Sequence, residues 1–258
     1  MTFAVPGDVY DRFVGRYSYE LCEALARAAG IAAGSSVLDV GAGTGAGTRY
    51  LVELVGAERV AAVDPTESFL EALRARFPRA DVRLAQAESL PFEDDSFDAT
   101  LAQLVVNFMA DPTPGVAEMR RVTRPGGPVA ACVWDYPGEM TLLRVFWEAA
   151  SELDPGGVQS VDERTQMPFG HRGELGDLWR EAGLEEVEDG ELVVSAEYAG
   201  FDDLWEPFTN GVGPAGRYVA ALDDERQGAL KAEYRRRLSV SNGGFRLSAR
   251  AWFAAGRA

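Results

Sequence analysis

The sequence predicts an α/β fold, a parallel sheet with crossover helices, and three observations carry that prediction. From residue 20 to about 135, apolar runs of strand length alternate with segments of helical periodicity. The first of these runs, "VLDVGAGTG" at residues 37 to 45, ends on an aspartate and enters a turn with glycine at every second position. Further on, "RPGG" at residues 124 to 127 stops a helix and turns the chain into another apolar run.

Taken in order, Val37, Leu38 and Val40 read as a short buried strand, Ser36–Val40. Gly41, Gly43 and Gly45 then let the backbone turn tightly and approach a ligand closely. Further strands are expected at Val60–Asp64, Val82–Ala85, Asp98–Gln103 and Pro128–Trp134. Helices are expected between them at Glu20–Gly30, Gly45–Val55, Glu67–Phe77 and Pro114–Thr123. Asp111 or Thr113 can cap the last of these, with a proline at its first helical position. After Trp134 the rhythm changes to an aromatic-rich helix around Met140–Leu153 and a long polar connection, "DPGGVQSVDERTQMPFGHRGE", which reads as a lid or loop over a site. A helix at Leu175–Ala182, a strand near Leu192–Tyr198 and the alternating segment "FRLSARAWFA" follow. Residues 201 to 243 read as two or three helices inserted between those last two strands.

A chain of 258 residues, 47% hydrophobic and 10% aromatic, can bury a full core and fits one α/β domain with an insertion, or a domain and a half. We read it as a single domain, 1–258, with an N-terminal lid segment 1–35, a ligand-binding core 36–134, a lid region 135–174 and a helical insertion 201–243. The 25 Lys and Arg against 41 Asp and Glu give a net charge of -16, which repels a phosphate backbone and argues against nucleic acid as the main partner. The basic run Arg235 to Arg237 lies near Asp223, Asp224 and Glu225 and reads as a solvated helix face. Cys22 and Cys132 each sit in an apolar context, so core packing in a reducing compartment is expected rather than a disulfide or a metal site. No basic leader and no apolar segment of membrane-spanning length is visible, and the expectation is a cytoplasmic protein with small-molecule ligands.

Two ligand classes use a strand, a glycine turn and a helix in this way, dinucleotides and S-adenosylmethionine. "GAGTGA" satisfies the dinucleotide fingerprint in its G-x-G-x-x-A form, and Asp64, about 20 residues on, stands where ribose hydroxyls are read in either case. Asp64 as a simple cap for the helix beginning near Pro65 is the plain alternative. Charge separates the two classes. A pyrophosphate wants a helix N-terminus free of carboxylates, whereas Asp39, two residues before the first glycine, favours the ammonium and sulfonium of S-adenosylmethionine, or else only orients the loop.

Four stretches, "VLDVGAGTG", "VDPTESFLEALR", "AESLPFEDDSFD" and "EMRRVTRPGG", cover residues 36 to 134 in order. In these the chain resembles the class I S-adenosylmethionine-dependent methyltransferases, especially the small-molecule branch that includes the ubiquinone and menaquinone biosynthesis methyltransferases. The resemblance implies a Rossmann-like sheet of seven strands, mostly parallel with the last antiparallel, and a helical insertion that builds an acceptor pocket. It also implies that the backbone of Gly41, Ala42, Gly43 and Gly45 holds the methionine part of the cofactor. Asp64 would take the ribose hydroxyls, and Pro65 would shape the adenine pocket. The family commonly has an acidic residue where this chain has Gln86, followed by a small residue, here Ala87, whose amide meets the adenine ring. Gln103 would lie beside the methionine chain. Asn107 stands where relatives often carry histidine, so one obvious acid–base candidate is missing; helix or turn capping is its plainer role.

"YDRFVGRYSYEL" resembles the N-terminal segment that closes over the cofactor in this branch. Tyr10, Arg16 and Tyr17 are the candidates there, with the guanidinium fork of Arg16 suited to a carboxylate; a salt bridge beside two packing aromatics explains the same residues. The implied reaction is methyl transfer to a small organic acceptor, leaving S-adenosylhomocysteine. His171, the only histidine, and Tyr136 are candidate catalytic groups, with Asp135 as a further polar one; a surface loop is the plain alternative for His171. Two rivals stay open: an NAD(P)-dependent oxidoreductase, for which no Tyr-x-x-x-Lys pair is present, and a non-catalytic protein binding S-adenosylmethionine or S-adenosylhomocysteine. No metal-ligand spacing accompanies the site.

Overall fold

The computed structural model describes residues 12–240 and 243–258. The strands are β1 (Val37–Val40), β2 (Val60–Asp64), β3 (Asp81–Leu84), β4 (Ala99–Gln103), β5 (Pro128–Trp134), β6 (Glu185–Tyr198) and β7 (Phe245–Arg257). The longer helices are α1 (Ser18–Ala28), α2 (Thr48–Val55), α3 (Glu67–Arg76), α4 (Pro112–Val122) and α5 (Thr141–Leu153). They are followed by α6 (Glu174–Glu181), α7 (Phe201–Thr209), α8 (Gly213–Ala220) and α9 (Asp224–Leu238).

The strands form one seven-stranded sheet in the order β3-β2-β1-β4-β5-β7-β6. The pairs among β1 to β5 are parallel and β7 runs antiparallel to β5, the fold class the sequence predicts. β1 and β2 are buried along their whole length, which is why they read as unbroken apolar runs rather than alternating ones. The chain lays down β1, β2 and β3 outward in one direction, then returns to place β4 on the other side of β1. That reversal opens a crevice at the carboxyl ends of β1 and β4, the place where open α/β sheets take ligands.

Three expectations need correction. Helix α4 begins at Pro112, two residues before the predicted start, with Asp111 at its N-cap position. Strand β6 begins at Glu185 rather than Leu192, because its first half, "EEVEDGE", lies at the sheet edge with most side chains in water and shows no apolar alternation. The polar connection after α5 holds two short helical turns, Pro155–Val158 and Glu163–Gln166, capped by the carboxylates of Asp154 and Asp162.

The chain divides into two compact units. One comprises Ser18–Trp134, His171–Leu192 and Ala251–Ala258 and carries most of the sheet. Within it, two of the sequence motifs turn out to be partners. Arg121 on α4 donates to the carbonyls of Leu90 and Phe92 at 3.2 and 2.9 Å and pairs with Asp94 and Glu118, while Glu118 accepts the Leu90 N–H at 3.0 Å. The "LPFEDD" loop is therefore strapped to the helix carrying "EMRRVT". The "RPGG" turn has a packing reason as well. Arg124 pairs with Asp98, and a Cβ on Gly127 would stand 2.6 Å from the Asp98 carbonyl oxygen.

The other unit comprises the described residues up to Tyr17, with Asp135–Gly170 and Val193–Arg250. Its helices close on an aromatic core. Phe146 stacks on Phe208 with centroids 4.6 Å apart, Tyr234 meets both edge-on, and the Tyr234 hydroxyl donates to the Leu142 carbonyl at 2.8 Å. Among the described residues no helix is long and apolar enough to cross a membrane.

Candidate active site

The glycine turn leaves β1 with its backbone still tied to the sheet, since the N–H groups of Gly41 and Ala42 both donate to the Val63 carbonyl at 2.8 and 3.0 Å. Gly41 and Gly45 have φ of +71° and +84°, and a Cβ there would stand 2.3 Å from Val105 Cγ2 and 2.2 Å from Leu73 Cδ1. Packing and backbone conformation together require glycine at both positions. Gly43, at φ +56°, differs, because a Cβ there would meet nothing within 4 Å. The turn thus presents its bare middle to open space, where a ligand can lie against it.

Two carboxylates flank this turn, and both are buried. Asp39 accepts the Thr48 hydroxyl at 2.6 Å. Burial pushes its carboxyl up to about 6, against the pull of that hydrogen bond and with a further push from the charge of Asp64. Asp64, ending β2, accepts the N–H of Gly43 at 3.0 Å on one oxygen and that of Thr66 at 2.9 Å on the other. Burial raises its pKa too, opposed by those two backbone donors. The backbone bonds show Asp64 orienting the turn and the start of α3. It ties down the segment entering α3, whose N-cap Thr66 makes no side-chain cap bond of its own, and through Gly43 it is joined to the glycine turn. Pro65 follows it directly.

Gln103 ends β4 and is fixed by donating Nε2 to the Ser18 carbonyl at 3.1 Å. Its Oε1 is buried without a hydrogen-bond partner, next to Gly47, where a Cβ would approach it to 3.0 Å. An orphaned buried acceptor is costly unless a donor arrives. After β3, Gln86 is exposed and Ala87 is buried. Asp39, the glycine turn, Asp64, Pro65, Gln86, Ala87 and Gln103 all belong to the first unit and sit at or just beyond strand carboxyl ends. Sequence reasoning missed Thr48, Glu118 and Arg121, whose contacts hold the site's loops. A hydroxyl nine residues after Asp39, on the first turn of the following helix, was the one signal on offer for Thr48.

Of the other candidates, Arg16, Tyr17, Asp135 and Tyr136 belong to the second unit, and Asn107 and His171 to the first. Tyr10 falls outside the described residues. Arg16 lies in the second unit, where its fork pairs with both oxygens of Asp203, its Nη1 also reaches the Glu197 carbonyl at 3.1 Å, and its guanidinium lies 4.9 Å from the Tyr198 ring centroid. The Tyr17 and Tyr198 hydroxyls share a hydrogen bond at 3.2 Å. Tyr136 is buried, and Asp135 is committed to Arg250 at 2.7 Å and to the N–H groups of Gly138 and Glu139. His171 is exposed, on the turn that opens α6, with its N–H donating to Glu174. Asn107 is buried in a short helical turn, Val106–Phe108, after β4.

The acceptor set around the turn, two carboxylates and an amide oxygen, suits a ligand that brings N–H groups, hydroxyls and positive charge. A family model described as a methyltransferase domain matches residues 38–131. A demethylmenaquinone methyltransferase of Clavibacter sepedonicus is 30% identical over 210 residues, covering 76% of this chain and 81% of that one. A malonyl-acyl-carrier-protein O-methyltransferase of Halorhodospira halophila is 30% identical over 206 residues, covering 77% of this chain and 66% of its own length. Among solved structures, a phosphoethanolamine N-methyltransferase of Haemonchus contortus, held with phosphomonomethylethanolamine and S-adenosylhomocysteine, superposes with a TM-score of 0.56 at 17% identity. It covers all of this chain and 60% of that one, and at this identity the likeness speaks for the fold. The chain belongs to the class I S-adenosylmethionine-dependent methyltransferases.

Proposed function

We propose that this chain transfers the methyl group of S-adenosylmethionine to a small organic acceptor by direct in-line displacement, releasing S-adenosylhomocysteine. The observation that carries the reading is the buried, unpartnered Oε1 of Gln103 at the carboxyl end of β4, in the same unit as the ionisable Asp39. An acceptor held in place by the Ser18 carbonyl is preorganised for an ammonium group. Gly41, Ala42, Gly43 and Gly45 would lie along the methionine part, Asp64 would accept from the ribose hydroxyls, and Pro65, Gln86 and Ala87 would border the adenine.

The bound cofactor supplies a methyl group already activated by its sulfonium. What the chain must add is alignment, and a rigid turn pinned to β2 by two backbone hydrogen bonds serves that end. A base is needed only for an acceptor that must lose a proton. His171 and Tyr136 are the side chains to test for that role. Arg16 would have to leave Asp203 to reach a cofactor carboxylate, and we assign it to holding its own unit together.

The two relatives' names give demethylmenaquinone and a malonyl group on acyl-carrier protein as what those enzymes methylate, which supports a small organic acceptor here. The test is transfer of labelled methyl from S-adenosylmethionine to a panel of quinone precursors, malonyl thioesters, phenols and amines. Label on one class identifies the acceptor chemistry. Cofactor binding without transfer to any class would make the chain a binding protein and end the catalytic reading.

A further inference from the structure

Glu88 lies two residues beyond Gln86, in the segment that follows β3. Its Oε1 accepts the N–H of Ala110 at 3.0 Å and of Asp111 at 3.5 Å, the residue before the N-cap of α4 and the N-cap residue itself. A carboxylate beside a helix start meets the positive end of the helix dipole. The usual source of a cap is the N-cap side chain, but Asp111 makes no side-chain cap bond. Of the two residues whose N–H an N-cap carboxylate ordinarily seeks, the third on, Pro114, has none, which leaves only that of Thr113. Glu88 instead ties down the segment that leads into α4.

The topology gives this bond a reach that an ordinary cap lacks. Glu88 follows β3, whereas Ala110 follows β4, and in the sheet these strands are separated by β2 and β1, a gap of about 14 Å at ordinary strand spacing. The bond closes a ring across the carboxyl edge of the sheet, over the strands that end at Asp64 and at the glycine turn. Side chains meet at the same junction. A Cβ on Gly115 would stand 2.7 Å from Met109 Sδ and 3.6 Å from the Ala87 Cβ, so Ala87 is pressed toward the first turn of α4 where glycine leaves room.

We propose that Glu88 is a positioning residue for the adenine end of the cofactor, fixing the Gln86–Ala87 loop against the start of α4 and so setting how strictly the base is recognised. This rests on the cofactor reading above. A mere stabilising cap would, when removed, lower stability and weaken every ligand alike. A residue that sets the loop's position would, when removed, lower the preference for adenine over a base with a different edge.

The experiment compares calorimetric affinities of the full chain, Glu88→Ala and Glu88→Gln for S-adenosylhomocysteine and S-inosylhomocysteine, whose 6-oxo group replaces the amino group. Glu88→Ala is expected to weaken S-adenosylhomocysteine about tenfold, the size of one lost hydrogen bond to a charged group, with a much smaller change for the inosyl compound. Glu88→Gln, which keeps the acceptor, is expected to restore most of the preference. Should Glu88→Ala fail to fold, Glu88→Asp keeps the charge but shortens the reach by one methylene, and it reads the same ratio. An unchanged ratio, or equal losses for both compounds, overturns the positioning role while leaving the cofactor reading intact. Failure of the unmodified chain to bind either compound overturns the cofactor reading itself.

Discussion

The Thr48 hydroxyl donates to Asp39 Oδ2 at 2.6 Å, with both side chains buried. This pair sets the charge state of the site. Burial lifts the Asp39 carboxyl from 3.8 to about 6, Thr48 resists the rise, and the facing groups Asp64 and Cys22 are respectively acidic and neutral. With its folded pKa raised, Asp39 contributes stability that is complete below about 3.8 and lost as the pH climbs through about 6. On the proposed cofactor reading, binding has the opposite sign, because a positively charged ligand beside Asp39 favours the ionised form. Affinity for S-adenosylmethionine is therefore expected to fall as the pH drops below about 6, and Thr48→Val is expected to move that fall upward in pH. Calorimetric titrations between pH 5 and 8.5 decide it; identical profiles for the two proteins would separate Asp39 from cofactor binding.

Arg121 holds the loop after β3 through two carbonyls and two carboxylates. Its side chain is partly exposed, so solvent screening discounts the ion pairs and the carbonyl bonds matter more. Arg121→Ala is expected to cost about 1–2 kcal/mol in urea unfolding, with Arg121→Lys recovering less than half, since an ammonium cannot reproduce the fork. Faster hydrogen exchange should be confined to residues 90–97 and the neighbouring turns. A loss spread evenly over the sheet would show that the strap is not local.

Glu163 offers a pH test in the second unit. It is buried, accepts from Trp147 Nε1 at 3.1 Å, and burial raises its pKa to about 7 against the pull of Trp147 and Arg217. Its contribution to stability is complete below about 4.5 and lost as the pH rises through about 7. Glu163→Gln keeps the shape and an acceptor without the charge. Its melting temperature should exceed that of the unmodified chain at pH 8 and match it near pH 5. A lower value at both would mean that the carboxylate is needed in its charged form.

Arg16 and Asp203 should behave as a unit. Arg16→Ala and Asp203→Ala are each expected to destabilise the chain by about 1 kcal/mol, with the double variant costing clearly less than the sum. Cofactor affinity should stay within about twofold in all three, a change of under 1 kcal/mol. A tenfold loss in Arg16→Ala alone would return Arg16 to the cofactor site.

The first half of the fold was legible because parallel strands buried on both faces read as apolar runs, and glycines at positive φ leave a visible signature at Gly41 and Gly45. The acidic start of β6 was not, because an edge strand facing water has no apolar pattern to read. Arg16 shows a different limit. A guanidinium fork announces that it binds a carboxylate, but the identity of that carboxylate, here Asp203, is a matter of tertiary position. The ties that Glu88 and Arg121 make join residues far apart in the chain, and the order of strands in the sheet, rather than any local spacing, brings them together.

The most direct measurement of the central claim is calorimetric titration of the purified chain and of Asp64→Ala with S-adenosylmethionine, S-adenosylhomocysteine and NAD(H). The account predicts micromolar-range binding of both sulfur compounds, its loss in Asp64→Ala, and none for NAD(H). Binding of NAD(H) alone, or undiminished binding of the sulfur compounds by Asp64→Ala, would contradict it.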